Sequence, residues 1–238
     1  SYLITPLYFV FFGLTLLIFH PIQWICLYGF GYTAHKKSVS ILNWVLMRCT
    51  HILGTRYTFT NEHNLPDNTP LVFVTNHQSM NDIPPLIWHL RKYHPKFVAK
   101  KELAKGIPSI SFNLRHGGSV GIDRKDSKQA LSAIAKLGRY IETHKRSAVI
   151  FPEGTRSRDG KPKPFKPMGL KILLKNAPTA LIVPISINNS WKLLRYGKFP
   201  MGLGIHITYE VHRPLANDGD FETLFNKIES TVKNGIHK

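Results

Sequence analysis

The sequence predicts an α/β domain with a mostly parallel central sheet flanked by helices, preceded by a hydrophobic two-helix membrane anchor. Three observations predict it. Short apolar runs such as Leu71-Val72-Phe73-Val74-Thr75 and Ala148-Val149-Ile150-Phe151 alternate with segments of helical period, the pattern of strands buried on both faces with helices between them. Residues 1–35 contain no Lys, Arg, Asp or Glu. Polar clusters directly follow several of the strands, where open α/β sheets hold their ligands.

The N-terminal elements come first. Residues 2–19 are almost wholly apolar; as a helix, about 18 residues reach roughly 27 Å, close to a hydrocarbon core of about 30 Å. A signal peptide would begin with basic residues and end at small ones, and neither is present here. A helix this apolar on every side is unusual inside a small domain, so membrane insertion is the expectation. His20-Pro21 is expected to interrupt it. A second helix is expected over residues 38–53, where Ile41, Leu42, Val45, Leu46, Ile52 and Leu53 recur at helical spacing and Gly54 closes the end. One full span and two helices dipping into one leaflet fit equally well. Basic residues begin at Lys36 and pervade the rest of the chain, which places the soluble part on the cytoplasmic face. The expected division is a membrane-anchoring segment over 1–54 and an α/β domain over 55–238, with its motif core at about 70–190.

Strands are expected at 57–60, 71–75, 96–99, 148–151, 180–187 and 204–209, with another entered from the glycine turn His116-Gly117-Gly118. Helices are expected at 85–91, 168–175, after Asp126 and after Asp220, the two aspartates serving as caps. A short broken helical stretch is expected at 107–114. Asp82 is read as the cap of the helix that opens at Ile83-Pro84-Pro85, since proline suits a first helical turn.

Composition narrows the partners. Lys and Arg number 32 against 14 Asp and Glu, a formal charge of +18, so the partners are expected to be anionic: nucleic acid, anionic lipid or phosphorylated substrates. No nucleic-acid motif interleaves basic with aromatic residues. Cys26 and Cys49 have no metal or redox spacing and sit in apolar surroundings, as buried small side chains would. Twelve histidines are scattered, and no paired-histidine motif marks a metal site; none is expected.

The chemistry concentrates after the strand at 71–75. His77 lies at the strand end and Asp82 where a helix begins. Five residues of separation do not stack two side chains on one helix face. They suit a turn in which the carboxylate takes the proton of one imidazole nitrogen and leaves the other as a base. Three further clusters occupy strand ends: Lys100-Lys101, Asp123-Arg124 and Glu153-Gly154-Thr155-Arg156-Ser157. In the last, Gly154 permits close backbone approach and Arg156 offers a planar fork to phosphate oxygens. Beyond it, residues 157–167 carry Arg158, Lys161, Lys163 and Lys166 among three prolines, a stiffened basic flap.

At these residues the sequence resembles the glycerolipid acyltransferases. Asn76-His77-Gln78-Ser79-Met80-Asn81-Asp82 resembles the family's His-x4-Asp block. Gly118-Ser119-Val120-Gly121-Ile122-Asp123-Arg124 is similar to its second, Phe151-Pro152-Glu153-Gly154-Thr155-Arg156-Ser157 to its third, and Val183-Pro184-Ile185 to its fourth. The order and spacing agree across about residues 70–190. The resemblance implies acyl transfer from a thioester, acyl-CoA or acyl-carrier protein, to the hydroxyl of 1-acylglycerol-3-phosphate (lysophosphatidic acid), giving phosphatidic acid in the plane of a lipid bilayer. It implies His77 as general base and Asp82 as its orienting partner. Arg124, Glu153 and Arg156 would hold the glycerol phosphate, with Gly154 and Thr155 shaping the pocket and Lys100 adding charge. No cofactor and no metal is implied, since a thioester is already activated. Two alternatives stay open: another lysolipid acceptor on the same machinery, and a non-enzymatic basic module binding membrane or nucleic acid. Ser79 stands as a second candidate nucleophile, for a transfer through a covalent intermediate.

Overall fold

The computed structural model describes residues 1–237. The chain opens with helix α1 (Ile4–His51). Pro21 lies inside it without ending it, contrary to the expected interruption; freed backbone groups are re-satisfied locally in apolar helices of this kind. The break comes instead at Gly31, whose φ of 80° and ψ of −175° belong to a region that only glycine occupies readily. Two helical halves therefore do exist, joined ten residues later than the proline suggested. The first half leaves Leu7, Phe11, Leu14, Leu17, Ile18 and Ile25 exposed, and α1 is long and apolar enough to cross a membrane. Its inner face is different: Tyr8 and Cys49 join the core under the sheet. Cys26, in contrast to Cys49, is only half-buried. At the end of α1, Gly54 takes φ 71° and its N–H reaches His51 O at 2.8 Å, the expected glycine stop.

The sheet contains β1 (Arg56–Thr60), β2 (Leu71–Thr75), β3 (Pro95–Lys100), β4 (Val120–Ile122), β5 (Ser147–Ile150), β6 (Leu181–Asn188) and β7 (His206–Val211). Among the described residues these seven strands lie in the order β1-β7-β6-β2-β5-β3-β4. Every neighbouring pair is parallel except β6 with β7. Consequently β2 to β6 all present their carboxyl ends along one edge, and β1 and β7 run the other way. The last strand begins two residues later than its expected position.

The helices are α2 (Ile83–His89), α3 (Ile110–His116), α4 (Ser127–His144), α5 (Pro167–Lys175) and α6 (Phe221–Asn234). Strand alternation divides the core. Leu71 and Phe73 face a cluster with Leu86 of α2 and with Leu53 and Leu90, which directly follow α1 and α2. Val72 and Val74 face Leu137, Ile141, Leu170, Leu173 and Ile228 from α4, α5 and α6. Burial on both sides explains why β2 and β5 read as unbroken apolar runs. Asp126 accepts from Gln129 N at 2.9 Å and Asp220 from Thr223 N at 2.9 Å, so both expected caps form.

Candidate active site

His77 stands just past the carboxyl end of β2, and Asn76 fixes that end in space. Its amide donates to Ile187 O at 2.8 Å and accepts from Ile187 N at 2.7 Å, continuing the β2–β6 ladder with a side chain. The chain then turns through Met80–Asp82, one turn of 3-10 helix. Ser79, not Asp82, is the residue that caps this turn: its Oγ accepts from Asn81 N at 3.2 Å. Asp82 does hold the expected N-cap position of α2, but its side chain does not make the expected capping bond. It has helical dihedrals, and its carboxylate folds back toward the strand.

Folding back satisfies a fully buried charge. Asp82 Oδ2 accepts from His77 Nδ1 at 2.8 Å, Gln78 N at 2.8 Å and Ser79 N at 2.9 Å. Oδ1 accepts from the hydroxyl of Ser190. Against an ionised carboxylate, Nδ1 is the protonated nitrogen, so Nε2 carries a free lone pair. Nε2 makes no hydrogen bond among the described residues, and the His77 side chain is 16% exposed while that of Asp82 is 0% exposed. The ring stacks on Phe151 with centroids 4.2 Å apart, which leaves it little freedom to rotate out of line. Ser79 is wholly buried, with its hydroxyl also accepting from Asn81 Nδ2 at 3.3 Å.

The loop after β5 is tied to the same turn. His77 N donates to Glu153 Oε1 at 2.7 Å, and Lys163 N donates to Glu153 Oε2 at 3.0 Å. Ser157 N donates to His77 O at 2.8 Å. Burial raises the Glu153 carboxyl above its ordinary value, and the two backbone N–H bonds oppose that rise. Gly154 takes φ 70°, which lets the chain reverse immediately after Glu153. Lys163 Nζ closes the loop on Thr155 Oγ1 at 2.9 Å and Arg156 O at 3.0 Å. Gly160, at φ 78°, lies so close to the indole of Trp191 that any side chain would collide with it. The basic flap is therefore docked on the turn after β6.

Of the residues singled out in the sequence, His77, Asp82 and Glu153 are in direct contact, and Gly154, Thr155 and Arg156 continue the same loop. Lys100 ends β3 and pairs with Glu102 at 3.1 Å. Arg124 lies just beyond β4 and, like Arg156, is exposed without an ion pair among the described residues. Lys100 and Arg124 share the carboxyl edge with His77 but do not touch it. Sequence reading missed Ser190, 108 residues from Asp82, and the clamping role of Lys163. It also missed Gln78, whose Oε1 accepts from Trp191 N at 3.5 Å and lies 3.4 Å from Ser190 Oγ.

Residues 56–188 match the model of the Acyltransferase family. A 1-acyl-sn-glycerol-3-phosphate acyltransferase of Helicobacter pylori is 40% identical over 139 residues, 55% of this chain and 56% of that protein. The chloroplastic enzyme BAT2 of Brassica napus, of the same name, is 34% identical over 155 residues, 64% of this chain and 43% of that protein. The chain thus spans about half the length of the curated relatives it matches. In fold it is similar to the crystal structure of the 1-acyl-sn-glycerophosphate acyltransferase PlsC from Thermotoga maritima. The TM-score is 0.78 at 23% identity, covering 98% of this chain and 93% of that one.

Proposed function

The chain belongs to the acyltransferase family, and we propose that it moves a fatty acyl group from an acyl thioester to the free hydroxyl of 1-acylglycerol-3-phosphate, giving phosphatidic acid. The observation that carries this reading is the His77–Asp82 contact of 2.8 Å with Nε2 left free at the carboxyl edge of the sheet. The family match and the names of the relatives support the choice of acceptor.

In this reading His77 Nε2 removes the proton of the acceptor hydroxyl as its oxygen attacks the thioester carbonyl carbon. The tetrahedral adduct collapses, the C–S bond breaks, and the departing sulfur takes the proton back from the imidazolium. The products are one ester and one free thiol. Asp82 steadies the imidazolium formed midway. A thioester needs no further activation, so we assign no cofactor and no metal. Direct attack is favoured over a covalent intermediate because Ser79 Oγ is buried and engaged in capping. Arg124 and Arg156, with Lys100, are assigned to the acceptor phosphate, and Glu153, Gly154 and Thr155 to the shape of its pocket; free guanidinium groups on the same sheet edge support this.

The location rests on the same chemistry. The exposed apolar half of α1 supports a membrane-anchoring segment over 1–54 ahead of an α/β domain over 55–238, with the active site at the cytoplasmic surface of the bilayer. The acceptor and product then remain in the lipid while the donor, acyl-CoA or acyl-carrier protein, arrives from water. The test is a radiolabelled acyl-transfer assay in detergent or vesicles, with lysophosphatidic acid and each donor. The assay should give phosphatidic acid with wild-type protein and a loss of at least about 10²-fold for His77→Ala. Undiminished transfer by that variant defeats the mechanism, and transfer to a different lysolipid alone defeats the acceptor assignment.

A further inference from the structure

A second polar site lies a strand's length from His77, at the amino end of β3. His77 stands past the carboxyl end of β2 and Lys96 near the start of β3, and both strands run in the same direction. The two sites therefore occupy opposite edges of the sheet. The second is a cavity of about 30 Å³ between α1, the turn after α2 and β3, enclosed room for about two ordered waters with Arg91 exposed and Lys36 half-buried on its wall.

Its lining is cationic. Lys36 comes from the second half of α1, Arg91 and His94 from the turn after α2, and Lys96 from β3. No aspartate or glutamate lines it, and none of Lys36, Arg91 and Lys96 has an ion pair among the described residues. Lys96 is 5% exposed, and its ammonium is held by the Tyr32 hydroxyl at 2.6 Å. Arg146 adds a charge behind Tyr32, its guanidinium 4.7 Å from the ring centroid. His35 is fully buried against the cavity, yet neither ring nitrogen has a hydrogen-bond partner, and His94 Nδ1 also lacks one. Buried polar nitrogens are ordinarily satisfied, and buried like charges are ordinarily compensated.

The cluster strains its own ionisation. Burial, aided by Arg146, lowers the Lys96 ammonium below its usual value. His94 is pushed down to about 4 by burial first and then by Lys36, Arg146 and Lys96. An anion in the cavity would relieve both.

We infer that the mouth of this cavity binds a phosphate group, one or two of its oxygens reaching inward to donors on Lys96 and His35 and the others meeting Lys36 and Arg91 outside. Several donors converging from different elements fit a tetrahedral oxyanion better than a monatomic ion. Tyr32 comes directly after Gly31, and Lys36, the first charged residue after the charge-free run of α1, follows one helical turn later. That is the depth at which lipid headgroups meet a membrane helix, and basic pockets there take headgroup phosphates. The phosphate can belong to such a lipid or be free in solution.

The experiment is a titration of the full chain in detergent with inorganic phosphate, ionic strength being held constant with chloride. The thermal midpoint should rise saturably, by about 5–10 °C at a hundred times the Kd. The double variant Lys36→Gln/Arg91→Gln, at partly or fully exposed positions, should lose most of that rise, as should Lys96→Met. A control, Lys175→Gln/Lys227→Gln, removes the same charge elsewhere and should behave as wild type. No saturable rise over chloride, or an equal rise in the cavity variants, or an equal loss in the control, overturns the inference. The sources separate on phosphatidylcholine vesicles with and without phosphatidic acid. A lipid phosphate is identified if the cavity double variant alone loses the preference for phosphatidic acid and inorganic phosphate competes it away. A free phosphate is identified if all proteins bind both vesicles alike while the thermal shift still depends on the cavity. Both readouts are binding measurements, so they are independent of whether acyl transfer occurs.

Discussion

Ser190 donates its hydroxyl to Oδ1 of Asp82, the carboxylate oxygen that His77 does not use. With Gln78 N and Ser79 N on Oδ2, the carboxylate is held from two sides and cannot turn away from the imidazole. In the proposed mechanism Ser190 is a positioning residue, acting on His77 through Asp82. Ser190→Ala should leave one buried carboxylate oxygen without a donor. We expect kcat to fall about tenfold with KM for the acceptor little changed, the equivalent of roughly 1.4 kcal/mol. Ser190→Thr should restore most of it, and steady-state kinetics on the three proteins checks the split.

Asp82→Asn tests the orienting role more severely. An amide presents a donor as well as an acceptor, and the backbone N–H groups of Gln78 and Ser79 would compete with His77 for its single oxygen. The other imidazole tautomer then becomes favourable, and transfer should drop at least about 10²-fold. Circular dichroism should show an intact fold; wild-type rates would remove Asp82 from the mechanism.

Glu153 clamps the flap to the His77 turn through its two oxygens. Glu153→Gln replaces one acceptor with a donor facing a backbone N–H, a loss of about 1–3 kcal/mol locally. Tryptic cleavage after Arg158, the one basic residue of 157–166 not followed by proline, should accelerate about tenfold or more over wild type. Unchanged cleavage would mean the flap is held by other contacts.

Gly31 sits at a φ and ψ that residues with a Cβ rarely adopt. Space is not the constraint, since a Cβ there would meet nothing within 4 Å; backbone energy is. Gly31→Ala should destabilise by about 1–3 kcal/mol, read as a lower midpoint of unfolding in detergent.

His94 provides a pH test. Its folded-state value is depressed from 6.5 to about 4, so the folded chain binds fewer protons there than the unfolded one between those values. The associated stability is fully present above about 6.5 and is lost as pH falls through about 4. His94 adopts φ 51°, which asparagine tolerates. The thermal midpoint of His94→Asn should therefore fall less than that of wild type across this interval; parallel curves would contradict the assignment.

Much was legible because it was local. Alternating apolar runs specify strands, and short polar side chains before helical segments specify caps, as at Asp126 and Asp220. The exposed apolar run of α1 was visible as a run without charge. What failed was also local but degenerate. Pro21 looks like a break, yet its ring is accommodated within α1, while Gly31 bends the chain where spacing gave no warning. Asp82 stands at the N-cap position of α2, yet its carboxylate makes no cap bond there and turns to His77 instead.

By itself the sequence determined the α/β class, the order of the motifs and the residue types available at each strand end, because hydrophobic period and turn chemistry act within a few residues. Only the tertiary structure decided that Ser190 completes the Asp82 site, that Lys163 closes on Glu153, and that Lys36, Arg91 and Lys96 share one cavity. Ser190 and Asp82, and Lys36 and Lys96, lie on elements far apart in the chain that the sheet, with its fixed strand order, brings together, while Lys163 meets Glu153 within one loop whose path no short-range pattern specifies.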